Sequence, residues 1–121
     1  MSGQKRLAGM NILLLEDDYY LATDAQQGLE DAGATVVGPF READEATSHA
    51  TADELDCAVL DINLGDGPCF GTARALRDRN IPFLFITGYD QSVIPAEFSS
   101  VRWLEKPVRE ARLIDALHDF R

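Results

Sequence analysis

The feature that most constrains this chain is a fivefold alternation of short apolar runs with segments of helical period. The first run, Asn11–Glu16 (NILLLE), is continuously apolar at its centre, as expected of a strand covered on both faces. Behind it Leu21, Ala22, Ala25, Leu29 and Ala32 share one helical face, closed by Gly33 as a C-terminal cap. Thr35–Gly38 predicts a second strand ended by Pro39. Phe40, Ala43, Ala46 and Ala50 then mark a weaker face of small residues. Cys57–Leu60 (CAVL), Phe83–Ile86 (FLFI) and Val101–Glu105 (VRWLE) read as the remaining strands. Phe70, Ala73 and Leu76 define a third helix, and Val108, Ala111, Ile114 and Leu117 a closing one. The stretch 88–100 has no clean period and contains Pro95, so any helix there is short or irregular.

Strands alternating with helices imply parallel pairing through right-handed crossovers, hence an α/β sheet with helices on both faces, a three-layer doubly wound sandwich. At 121 residues the chain suits one such domain. Residues 1–10 are expected to be a flexible tail and 11–121 the domain. No apolar run approaches the roughly 20 residues that cross a bilayer. The start does not read as a signal peptide either, so a cytoplasmic location is the default expectation. With 21 acids against 11 bases the net charge is −10, which opposes nucleic-acid binding through phosphate contacts. Cys57 and Cys69 have neither zinc-site spacing nor the number for a disulfide framework.

In a sheet of this kind ligands gather beyond the carboxyl ends of the strands. Polar residues stand at those ends: Glu16-Asp17-Asp18 after the first strand, Asp61 after the third, Thr87 after the fourth, and Glu105-Lys106-Pro107 at the fifth. A strand order 2-1-3-4-5 would make the first and third strands neighbours and bring Glu16, Asp17 and Asp61 together. Clustered carboxylates repel one another unless a cation joins them. A hard dication with oxygen ligands fits, Mg²⁺ being the usual choice and Mn²⁺ the alternative. Lys106 adds positive charge from the opposite side. Such a set suits an incoming phosphoryl group, one acid attacking phosphorus while Thr87 donates its hydroxyl. Asp18 is placed to cap the helix behind it.

The motifs LLLEDD, AVLDINL, FLFITGY and LEKPV, in that order, resemble a response-regulator receiver domain from about Asn11 to the end. The resemblance implies a flavodoxin-like (βα)5 fold. Asp61 would be the phosphoacceptor, and Glu16 and Asp17 the acidic pair. Asp17 would bind Mg²⁺ directly, Glu16 through water, and Asn63 through its backbone carbonyl. Thr87 and Lys106 match the family's hydroxyl and lysine, Trp103 its aromatic switch position, and Asn63 and Tyr89 the positions that tune phosphate lifetime. A cis Lys106–Pro107 bond is also implied, although sequence alone leaves trans open.

PFLFITGY (Pro82–Tyr89) agrees with the PFxFxTGY signature of stand-alone receivers, the FAT GUY group, associated with HWE-type histidine kinases. Gly88 departs from the usual alanine, Val108 from a frequent phenylalanine, and Trp103 from the usual smaller aromatic. The implied function is a single-domain regulator without an output domain. It would take phosphate from a sensor histidine kinase or histidine phosphotransfer protein and serve as switch, relay or sink. It would not be an enzyme acting on a separate substrate, although it would catalyse its own phosphorylation and slow dephosphorylation. Phosphorylation-dependent dimerisation is a further expectation. The alternatives are a phosphorylation-independent interaction module and a haloacid-dehalogenase-like phosphatase; the latter needs a second acid where Asn63 stands. His49 and His118 read as surface or packing residues, and Arg74, Arg77 and Arg79 as a solvated helix face.

Overall fold

In a computed structural model, which describes residues 5–64, 67–68, 70–88 and 91–121, the apolar runs become five strands. These are β1 (Asn11–Leu15), β2 (Thr35–Phe40), β3 (Cys57–Asp61), β4 (Phe83–Thr87) and β5 (Trp103–Glu105). All neighbouring pairs are parallel, in the order β2-β1-β3-β4-β5. Among the described residues four α-helices connect or follow them: α1 (Tyr19–Asp31), α2 (Ala43–Ala52), α3 (Gly71–Asp78) and α4 (Glu110–His118). Between β4 and β5 lie two 3₁₀ turns, Gln91–Val93 and Ala96–Phe98, with Pro95 immediately before the second. A small antiparallel pair, Asn63–Leu64 with Gly67–Pro68, follows β3; no periodicity announced it.

The two-residue alternation of each strand sorts the core into two layers. Ile12, Leu14, Cys57, Val59, Leu84, Ile86 and Leu104 face α1 and α4 through Leu29, Leu113 and Leu117. Leu13, Leu15, Ala58, Leu60, Phe83 and Phe85 face α2 and α3, where Ala46, Ala50, Ala73 and Leu76 meet them, together with Phe98 of the second 3₁₀ turn. The small residues of α2 let α3 approach closely enough for Thr47 and Thr72 hydroxyls to bond at 2.8 Å. Burial pushes the Cys57 thiol up to about 12, with the Asp56 charge adding to the shift, so it is an inert core residue.

Gly33 does its expected work one position beyond the cap. Ala32 is the C-cap, and Gly33 follows at φ +98°. Gly33 N–H donates to the Glu30 carbonyl and Ala34 N–H to that of Leu29, which together close a Schellman motif. Asn80, at φ +59°, ends α3 in the same way.

Three sequence expectations need correction. β2 does not stop before Pro39 but runs through it to Phe40, whose carbonyl accepts from Glu16 N–H. A proline is tolerated because β2 is an edge strand and its register to β1 shifts there. Phe40 accordingly belongs to this strand and not to the α2 face. β5 begins at Trp103, since Val101 N–H turns back to the Phe98 carbonyl.

The third correction concerns the supposed tail. Within residues 1–10 the described part is docked: Leu7 is fully buried, Met10 is buried, and Leu7 N–H donates to the Ala32 carbonyl. Arg6 pairs with Asp115 of α4. Gly33 lies so close beneath this segment that a Cβ there would stand 2.9 Å from Ala8 Cα. Leu7 fills the end of the α1/α4 core layer that β1 leaves open before Asn11.

Candidate functional site

Parallel register builds the site. Leu15 of β1 stands opposite Leu60 of β3, so the residues that follow, Glu16 and Asp61, emerge side by side. Asp61 is fully buried and Glu16 is 1% exposed. Oxygens of Glu16, Asp17 and Asp61 lie within 4.8 Å of one another. Asp61 pairs in register with Ile86, which puts Thr87, also fully buried, one step further along the neighbouring strand. From the next strand, Lys106 N–H donates to the Thr87 carbonyl at 2.9 Å and its peptide bond to Pro107 is cis. Its ammonium reaches 2.8 Å from Asp61 Oδ2 and 3.2 Å from Glu16 Oε1.

The remaining lone pairs are largely accounted for. Asn63 N–H donates to Asp61 Oδ1 at 2.8 Å, and Asp18 N–H to Glu16 Oε2 at 3.0 Å. Asp18 also caps α1, accepting from Leu21 N–H. Burial, the hydrogen bond shared with Asp61 and the Asp61 charge push the Glu16 carboxyl up to about 7; the Asp18 N–H and Lys106 only partly oppose this. For Lys106, burial draws the pKa down, but the hydrogen bond and charge of Asp61, with Glu16 behind it, outweigh burial and raise it.

Among the described residues one buried side-chain atom has no hydrogen bond: Glu16 Oε1, with the Lys106 ammonium near but not aligned to it. An orphaned oxygen within a cluster of carboxylates, all hard donors, fits a dication such as Mg²⁺. Asp17, half-buried at the rim, and Asp61 are the carboxylates that could touch it, together with a backbone carbonyl from the Asn63 turn.

Trp103 is half-buried opposite Phe85, on the α2/α3 side of the sheet. It lies diagonal to Thr87, which pairs with Glu105. Asn63 is exposed, and its amide would stand 3.9 Å from a Cβ on Gly88. Tyr89, expected to tune the site, and Cys69 lie outside the described residues. The structure thus brings Glu16, Asp17, Asp61 and Lys106 into one cluster, with Thr87 on the adjoining strand end. The role of the Asn63 N–H, holding Asp61 from below, was not foreseen; a backbone donor leaves no residue-type signal.

The Glu16 environment has a measurable consequence. A carboxyl whose folded pKa exceeds its unfolded value near 4.5 stabilises the fold at low pH and loses that contribution as pH rises. In metal-free buffer, the stability of wild type relative to Glu16→Gln is therefore expected to fall between about pH 4.5 and pH 7. Urea unfolding of both proteins across that range checks it; a flat difference would contradict the burial argument.

Comparison with known proteins agrees with this geometry. The response regulator receiver domain matches residues 12–118. The phyllosphere-induced regulator PhyR of Methylorubrum extorquens is 30% identical over 118 residues, covering 93% of this chain. This chain spans only 44% of that relative's length. The solution structure of SdrG from Sphingomonas melonis is 30% identical with a TM-score of 0.79, covering 92% of this chain and 95% of SdrG. A response regulator receiver protein from Sinorhizobium medicae is 29% identical with a TM-score of 0.79, covering 94% and 95% of the two chains. Among the described residues no helix is long and apolar enough to cross a membrane. With its sheet order, strand-end carboxylates and family match in agreement, the chain belongs to the response regulator receiver domain family.

Proposed function

We propose that the chain is a phosphorylation-driven signalling switch in which Asp61 is the phosphoacceptor. One observation carries this reading: a fully buried aspartate has a lysine ammonium 2.8 Å away and two further acids within 4.8 Å. A buried carboxylate held so tightly needs a task or a partner, and here its neighbours suit phosphoryl transfer.

The donor would be a phosphohistidine on a sensor histidine kinase, of HWE type by the PFLFITGY signature, or on a histidine phosphotransfer protein. An Asp61 oxygen attacks phosphorus, the P–N bond to the imidazole breaks, and the imidazole leaves with its electron pair and takes a proton. Mg²⁺, or Mn²⁺, when bound between Asp17, Asp61 and the Asn63 carbonyl, would neutralise charge on the transferred oxygens. Lys106 does the same from the β5 side, and exchanging its bond to the carboxylate for one to the new phosphate leaves it compensated. Asn63 N–H fixes the carboxylate rotamer. The Thr87 hydroxyl, at the end of β4, would donate to the phosphate, and Trp103, diagonal to it, would follow that change. By the family resemblance, Asn63 and Tyr89 would set the rate of hydrolysis. The protein thus acts on its own side chain and on no separate substrate.

Incubation with acetyl phosphate and Mg²⁺ should add one acid-stable, base-labile phosphate to wild type and none to Asp61→Asn. Intact mass spectrometry reads both. Wild type that takes up no phosphate would favour an interaction module that works without phosphorylation.

A further inference from the structure

The segment that leaves β4 and returns to β5 is gripped by two arginines that sequence reading left as a solvated face. Glu97 accepts from Arg74 through Nε at 3.2 Å and Nη2 at 2.8 Å, and from Arg77 Nη1 at 2.7 Å. Those bonds, Arg74's first and then Arg77's, hold the Glu97 carboxyl down at about 2. Both guanidiniums also lie over the ring of the next residue, Phe98, at 6.0 and 5.3 Å from its centroid. Phe98 is buried and packs edge-on against Phe85 of β4 at 5.6 Å. It also lies nearly parallel to Phe70, the residue before α3, at 5.9 Å. Arg79 serves a different purpose, bonding the Ala50 and Asp53 carbonyls at the end of α2.

We infer that the Arg74–Glu97–Arg77 fork is a latch on the switch, closed in the unphosphorylated chain and opened when Thr87 moves toward a phosphate on Asp61. This rests on the phosphoacceptor reading. Continuity is the physical ground. Thr87 and Phe98 bound one stretch of chain, and Phe98 is wedged against the strand that ends in Thr87. Displacing that strand end therefore strains whatever pins Glu97 and Phe98 to α3. The latch is built from surface charge, with Glu97 36% and Arg74 47% exposed. Exposed pairs contribute little each, so a local event at the site can open them, which a buried pair would resist. A contact present only in the resting state lowers affinity for whatever selects the other state.

The test is titration with Mg²⁺ and beryllofluoride, a phosphoryl stand-in, followed by backbone amide NMR shifts. Glu97→Gln is expected to bind about threefold to tenfold more tightly than wild type. Arg77→Gln should tighten binding by less, since Arg74 keeps its hold. The double variant should match Glu97→Gln alone, since both changes remove one contact. Glu97→Gln binding no more tightly than a wild type that does bind overturns the latch alone. Wild type that takes no beryllofluoride overturns the phosphoacceptor reading and the latch with it.

Discussion

Lys106→Met is expected to cost about 3–5 kcal/mol of stability in metal-free buffer at neutral pH, the range for breaking a buried charge pair from one side. The methionine keeps most of the stem and its packing, so the effect isolates the charge. It leaves Asp61 and Glu16, both buried, facing each other with no cation between them. Glu16, which burial already pushes up, then holds its proton more tightly still in the folded chain than in the unfolded one. The sign follows: the loss should shrink as pH falls below about 7, where Glu16 already titrates. Phosphate uptake from acetyl phosphate should slow by about 10²–10³, the usual cost of removing one preorganised charge from a transition state. Urea unfolding at two pH values and the rate of mass increase measure the two effects. Unchanged stability at neutral pH would mean that Lys106 is not the counter-charge of Asp61.

Leu7→Ala is the second large effect, about 2–5 kcal/mol. Leu7 is fully buried in the layer shared by Ile12, Leu14, Leu29, Leu113 and Leu117. Truncating it opens a cavity beneath the α1–β2 turn, where the Ala32 carbonyl and Gly33 hold the segment in place. Phosphate uptake should survive at temperatures where the variant is folded, because the site lies at the opposite ends of the strands. A shift of the unfolding midpoint in urea tests the cost; a midpoint equal to wild type would return residues 5–10 to the status of a tail.

That segment shows where the sequence stopped being legible. The strands could be read because each is a contiguous apolar run; crossover handedness made them parallel, and their order came with the receiver resemblance. The site followed, since a carboxylate or lysine directly after such a run has few places to go. Leu7 was hidden for the opposite reason: a single apolar residue among Lys5, Arg6, Ala8 and Gly9 has no period, and its burial depends on a cavity created elsewhere. Pro39 misled in a similar way. A proline ends a central strand, but β2 is at the edge, a fact of tertiary arrangement. Arg74 and Arg77 looked solvated because Glu97 is twenty or more positions away, and a polar face does not name its partner. The Asn63 N–H could not be seen because every residue but proline has one.

The proposed switch depends on Asp61 being the oxygen nucleophile. Borohydride reduction of the protein after treatment with acetyl phosphate and Mg²⁺ tests that at the level of the atom, because it converts an acyl phosphate to the alcohol. Peptide sequencing by mass spectrometry should then find homoserine at position 61 and unmodified acids at 16 and 17. Reduction at Glu16 or Asp17, or no reduced side chain in a protein that has gained phosphate, would contradict it.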